Sequence, residues 1–270
     1  MSSGSFPLLA VTISCAGVVG LFIGSFLNVV IYRAPLGLSV STPRSFCPNC
    51  QRQLAWWENI PLFSWIGLRG RCHTCHSPIS IRYPMVELAT GVTFALVTWA
   101  WHGTAVSAGY CVLAATLIAV ALIEYGGQRS PLSVAAIGTG VAEVLIVVAA
   151  GWRHHWSIVI GSLIGTVAAG AVFAVLRSAD PECRDPRAHG RTALLIAGCW
   201  IGGLGVGPAA VGAGFWIGTF FVCMVGTWAL TREKTGAGPP PAETHVPAVF
   251  AVPLVSALTA ALVASLIAGG

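Results

Sequence analysis

Four cysteines in one loop carry the clearest chemistry of the chain: Cys47, Cys50, Cys72 and Cys75, reading C-P-N-C and then C-H-T-C. Two C-x-x-C knuckles about twenty residues apart have the spacing of a tetrahedral zinc site. The two residues inside each knuckle let both thiolates turn toward one metal. The longer spacer lets the second knuckle fold back and complete the set of four. Two disulfides or four free thiols are the other readings of the same residues. Zinc is favoured because the basic residues around the loop point to the cytoplasmic face, where thiols stay reduced. His73 and His76, in and beside the second knuckle, read as outer or surface groups, since four cysteines already complete a ligand set. Cys15, Cys111, Cys199 and Cys223 fall in apolar stretches and read as small packing residues, and Cys183 stands without a nearby partner.

The elements that must position this loop are membrane helices. Of the 270 residues, 56% are hydrophobic and only 9% are charged, against about 25% charged in an ordinary soluble domain. Apolar stretches at 9–32, 84–101, 107–124, 131–150, 156–176, 192–208, 210–230 and 247–268 approach the ~20 residues that cross a bilayer. Gly202, Gly203, Gly205, Gly207 and Pro208 blur the break between the sixth and the seventh. The fold class is therefore an all-α polytopic membrane protein of about eight spans, with the cysteine loop between the first and second. The first stretch has no basic n-region and reads as a retained span, and Gly236–Pro241 as a short linker before the last.

Of the 14 lysines and arginines, six lie in the cysteine loop and its edges: Arg33, Arg44, Arg52, Arg69, Arg71 and Arg82. With the N-terminus outside, eight spans place every basic residue except Arg153 on the cytoplasmic side, as the positive-inside rule requires. The net charge of +5 then reads as orientation and contact with anionic membrane lipid, and no nucleic-acid partner is expected. Glu143 lies inside the fourth stretch, where a charged group costs roughly 2.5–3.5 kcal/mol. It reads as a protonated or hydrogen-bonded group toward the outer half of that span, with a functional role less favoured.

The segment from Gly24 to Gly91 carries a family resemblance. It runs G-S-F-L-N-V-V-I-Y-R-A-P, S-F-C-P-N-C, E-N-I-P-L-F-S-W, L-R-G-R-C-H-T-C and I-S-I-R-Y-P-M-V-E-L-A-T-G. This closely resembles the N-terminal domain of the bifunctional type IV prepilin leader peptidase/N-methyltransferases. The resemblance implies a zinc-loop domain at 1–91 and a membrane-embedded helical domain at 92–270. It also implies a multi-pass inner-membrane location, an aspartic endopeptidase site at the cytoplasmic membrane face, and type IV prepilins or pseudopilins as substrates. S-adenosylmethionine is the implied donor for methylating the new N-terminal amine.

The aspartate pair that the family implies does not map onto this chain. In the first acidic pattern Glu124 stands at one aspartate and Leu132 at the other acid. In the second, Gly190 or Arg191 falls where an aspartate belongs. The whole chain has two aspartates, Asp180 and Asp185, in a loop that Pro181 and Pro186 keep from forming a continuous helix. An aspartic dyad needs two carboxylates close enough to share a proton. Glu124 and Asp185 are the only catalytic pair available, and the extra methylene of Glu124 displaces its carboxylate by an amount that costs about a hundredfold in rate. The bland reading of Glu124 is a helix-end carboxylate, and that of Asp180, Glu182 and Asp185 a solvated loop balanced by arginines.

Glu87 enters the second span where the family also has glutamate. It reads equally as a contact for the substrate amine and as an anchor for Arg82 or the zinc loop. The sequence thus supports a prepilin peptidase family member with a degenerate peptidase site, a pseudoenzyme in that half. The alternative is an inactive membrane scaffold that binds prepilins, an active paralogue or a second copy of itself. A zinc-stapled transporter subunit is less favoured, because the spans offer no polar pathway apart from Glu143.

Overall fold

The computed structural model describes residues 5–163, apart from 127, 129, 130 and 157, together with residue 167. Five helices follow one another: α1 (Ser5–Arg33), the short α2 (Phe63–Gly67), α3 (Arg82–Ala100), α4 (Val106–Tyr125) and α5 (Leu132–Trp152). No strand is present among the described residues, as the all-helical reading requires. The first four apolar stretches are helices, with ends shifted by a few residues from those expected. The spans expected at 192–208, 210–230 and 247–268, most of 156–176, and the loop with Asp180 and Asp185 lie outside the described residues.

α1 packs chiefly on α3, and α4 on α5, while α3 and α1 both touch α4. The α1–α3 seam is made by small residues. A Cβ on Gly20 would come within 2.8 Å of Gly91 Cα, and one on Gly24 within 2.7 Å of Glu87 Cα. Gly20 and Gly24 stand one turn apart, the spacing that lets two membrane helices bring their backbones together. Leu27, Val86, Ala89, Phe94 and Ala115 fill the core beside the seam, and Cys111 packs there as its apolar setting predicts.

α1 and α5 are long and apolar enough to cross a membrane. Both turn large apolar side chains outward, Val18, Val19, Phe22 and Phe26 from α1 and Ile137, Val141, Val144 and Val148 from α5. α3 does not reach that standard. It opens with Arg82, carries Glu87 near its start and buries Thr90, Thr93 and Thr98. The hydroxyls of Thr90 and Thr93 bond the carbonyls one turn back, which satisfies both donors within α3.

Glu143 sits near the middle of α5, just into its C-terminal half. Neither of its carboxylate oxygens has a hydrogen-bond partner among the described residues.

Candidate metal centre and the loop that carries it

The loop between α1 and α3 is built from two copies of one backbone turn. In the first, Cys47 N–H donates to Arg52 O and Gln51 N–H to Cys47 O, while Phe46 faces Gln53 in antiparallel geometry. In the second, Cys72 N–H donates to Ser77 O and His76 N–H to Cys72 O, while Arg71 faces Pro78. Gln51 and His76 hold the same left-handed place just after each C-x-x-C, at φ 58° and 55°. Each turn aims two thiols at the same side, and the two turns face each other.

All four Sγ atoms lie within 4.8 Å of one another, with Cys47 and Cys75 at 3.7 Å. A tetrahedral zinc with Zn–S bonds of about 2.3 Å sets its sulfurs about 3.8 Å apart, so the cage has the size of a zinc site. The thiols are free. His73 and His76 are exposed outside the cage, as expected of outer groups. His73 meets Trp57 edge-on, with ring centres 5.5 Å apart.

Ser77 was not among the residues singled out by sequence, yet its Oγ lies 3.1 Å from Cys75 Sγ and 3.8 Å from Cys47 Sγ. That hydroxyl, aided by the Asn49 side chain, pulls the Cys75 thiol down to about 5. Hydrogen bonding from the Cys50 backbone lowers Cys47. Cys50 receives the Arg52 backbone N–H, but burial and the three neighbouring thiols outweigh it and push it up to about 11. Four crowded thiols cannot all ionise without a cation, and a divalent metal resolves that conflict.

Two more contacts escape a sequence reading. Glu58, with 1% of its side chain accessible, bonds Arg52 Nη2 at 2.6 Å and the Ala55 N–H at 2.7 Å. The second bond is a glutamate reaching back to the N–H at the start of the turn Trp56–Asn59, the half of a capping box that needs no side chain from Ala55. Further on, Trp65 Nε1 donates to Ile79 O at 3.1 Å and packs its ring against Gly70, where φ is +66° and a Cβ would meet the indole at 2.9 Å. The W-x(4)-G spacing is thus a packing requirement that fastens α2 to the second knuckle.

Asn28 Nδ2 on α1 donates to Tyr83 O at the start of α3 at 3.2 Å, which joins the two helices where the loop leaves and returns. The loop itself is tied to α1 by Arg33 Nη1, which donates to Ser39 O at 3.1 Å. It is tied to α3 by Glu87, whose Oε2 accepts the Leu62 N–H at 2.8 Å. Glu87 is buried, and this bond makes it an anchor for the cysteine loop. Of the catalytic candidates, Glu124 lies in the last turn of α4, its side chain outside the described residues, as is Asp185.

The model of the bacterial peptidase A24 N-terminal domain matches residues 18–101. The chain is 48% identical over 134 residues to a prepilin leader peptidase/N-methyltransferase of Myxococcus xanthus, covering 49% of this chain and 38% of that protein. With the enzyme of that name from Neisseria gonorrhoeae it shares 38% over 140 residues, 43% of this chain and 49% of the relative. These matches span half or less of those relatives' length. The match to the enzyme of that name from Klebsiella pneumoniae is longer, 34% identical over 192 residues, 68% of this chain and 82% of the relative. No solved structure matches the chain. With its two cysteine knuckles folded into one cage between apolar helices, and matched over 82% of the length of such an enzyme, the chain belongs to the prepilin leader peptidase/N-methyltransferase family.

Proposed function

We propose that this protein is a multi-pass inner-membrane member of its family that engages type IV prepilins or pseudopilins at the cytoplasmic face. About eight spans would carry it, with 1–91 as the N-terminal domain holding the loop and 92–270 as the membrane-embedded domain. Cys47, Cys50, Cys72 and Cys75 would hold one structural zinc, whose positive charge lets all four thiols ionise. The observation that carries the proposal is the intact, fully tied loop, anchored by Glu87 and enclosing a zinc-sized cage.

The peptidase half is degenerate in this reading, with Glu124 and Asp185 as the only acids available to it. Glu87 is proposed as a contact for the substrate amine in addition to its bond to Leu62. Among the described residues no run of glycines opens a helix, and S-adenosylmethionine enters the proposal through the family alone. The shortage of aspartates favours a second reading, a scaffold that binds prepilins, a membrane partner or another copy of itself without cutting.

The test is incubation of the purified full chain in detergent with a prepilin from the same genome, read by mass spectrometry for leader loss and N-terminal methylation. Cleavage that disappears in Glu124→Ala and Asp185→Ala supports a relocated acid pair. Methylation of a pre-cut substrate without cleavage supports a transferase alone. Binding without either product supports the scaffold, and no binding overturns all of these readings.

A further inference from the structure

The apolar run of α1 extends from Pro7 to Leu36, and the cysteine loop turns back toward it. Leu62 N–H bonds Glu87 Oε2, and Asn28 of α1 bonds Tyr83 O. Side chains on a helix lean toward its N-terminus, which brings the Glu87 carboxylate back to about the level of Tyr83. α1 reaches that level at Asn28, five residues before it ends at Arg33, or about 7.5 Å at 1.5 Å per residue. The start of α2 is thus held beside helices that have not yet left the apolar layer. Tyr32 and Tyr83 are exposed near the same level, as tyrosines at a headgroup boundary are.

α2 turns two large apolar side chains outward there. Phe63 is 71% exposed and Ile66 65%, and residues three apart share one face of a helix. Trp65 points elsewhere, to Ile79 O. The backbone is satisfied from within: the N–H groups of Ser64, Ile66 and Leu68 donate to the carbonyls of Ile60, Leu62 and Ser64. Backbone that enters a bilayer without crossing it must meet that condition. Just past α2, Arg69 and Arg71 are exposed, and neither has an ion-pair partner among the described residues.

We infer that α2 is an interfacial anchor: Phe63 and Ile66 enter the acyl region of the cytoplasmic leaflet, and Arg69 and Arg71 meet its anionic headgroups. The inference rests on α1 crossing the membrane and is independent of prepilin processing. The Leu62–Glu87 bond then sets the depth of α2, and so the height of the cysteine cage above the bilayer. Lipid is favoured over a protein occupant by the level of the apolar pair and by the two free cations that follow it.

The full chain would be reconstituted into vesicles of phosphatidylcholine and phosphatidylglycerol, with an environment-sensitive fluorescent amino acid replacing Phe63, Ile66, Phe22 or Thr74. All four are exposed, so the probe leaves packing intact. Phe22 of α1 reports the bilayer interior, and Thr74 of the second knuckle reports water. Lipids brominated near the headgroup or near the chain end read depth. The expected result is blue-shifted emission at Phe63 and Ile66, quenched more by shallow bromines than by deep ones. The order should reverse at Phe22, with little quenching at Thr74. Arg69→Gln with Arg71→Gln should weaken the quenching at Ile66 in these vesicles and not in phosphatidylcholine alone. Emission at Phe63 and Ile66 as water-like as at Thr74 would overturn the inference. A blue shift without bromine quenching would overturn it too, because protein would then cover the pair. Absence of quenching at Phe22 would overturn the membrane crossing of α1 and this inference with it.

Discussion

The Leu62 N–H and the Glu87 carboxylate meet at 2.8 Å across 25 residues of chain, and the donor sits in a strained turn. Leu62 has φ 61° and ψ −51°, and Phe63 N–H closes back on Pro61 O at 2.7 Å. This is a γ-turn of the rare hand, a conformation a leucine holds only when its surroundings enforce it. Glu87, rising from the first turns of α3 beside Gly24, supplies that enforcement.

Removing the acceptor should therefore release the loop. Glu87→Leu leaves the Leu62 N–H unpaired and should cost about 1–3 kcal/mol, read as a lower melting temperature in detergent and faster proteolysis between α1 and α3. Glu87→Gln keeps an oxygen and should lie near wild type in both assays. If Glu87 also binds the substrate amine, Glu87→Gln would weaken methylation of a pre-cut prepilin without changing the melting temperature.

The cage predicts about one zinc per chain, measurable by elemental analysis of the purified protein. Cys47→Ser with Cys72→Ser removes one ligand from each knuckle and should abolish the bound metal. Unchanged metal content in that variant would rule the cage out. If zinc joins the two knuckles, strong chelation of the wild type should expose the loop to protease.

The α1–α3 seam makes a separate prediction. Gly24→Leu drives a side chain into the backbone of Glu87, where a Cβ alone would sit at 2.7 Å. Overpacking of that kind costs typically about 1–3 kcal/mol, and here it also pushes away the residue that anchors Leu62. Thermal unfolding should show the loss, with loop proteolysis rising in parallel. An unaffected loop in a destabilised Gly24→Leu protein would mean that the seam and the anchor are independent.

The gathering of the four cysteines was legible in the sequence because their spacing is local: C-x-x-C fixes the turn that aims both thiols. The positions of α1, α3, α4 and α5 were legible from apolar length, their ends only to within a few residues. The contacts of Glu87 and Arg52 were not, for two physical reasons. The partner of Glu87 is a backbone N–H, and any residue type supplies one. Arg52 was read only as one of many basic loop residues, since its pairing with Glu58 depends on a turn at Trp56–Asn59 that no periodicity announces. The W-W-E-N run did carry a signal, a glutamate three residues after Ala55, in the place where a capping glutamate reaches back. Glu143 is the opposite case: its oddity was plain in the sequence, and its lack of a partner needed the structure.

Acid should act on the Arg52–Glu58 pair in a set direction. Hydrogen bonding from Arg52 holds the Glu58 carboxyl below its ordinary 4.5. A carboxyl depressed on folding contributes stability that is full above its unfolded value and fades as pH falls through its folded one. The stability gap between wild type and Glu58→Gln should therefore be constant from pH 7 to about 5 and narrow only below 4.5. Denaturant unfolding followed by tryptophan emission would measure it, and comparing the two proteins at each pH removes most of the shared effect of metal loss. A gap that closes already at pH 6 would assign the pH dependence to another group.

Glu143 presents the sharpest conflict between stability and placement. Both carboxylate oxygens are buried and lack a partner among the described residues, and the phenol oxygen of Tyr110 on α4 is in the same condition. A carboxyl near the middle of an apolar helix costs free energy unless it is bonded. Glu143→Leu should accordingly raise stability by roughly 1–3 kcal/mol, seen as a higher melting temperature in detergent. Glu143→Gln should gain less, since an amide also needs partners. An ionisable residue inside a membrane helix is a candidate functional group by its cost alone. A stabilised Glu143→Leu protein that still binds and processes a prepilin as wild type does would make Glu143 dispensable to both. A stabilised protein that has lost prepilin binding would place the binding surface at the α4–α5 face, and a destabilised one would mean that the carboxyl is bonded after all.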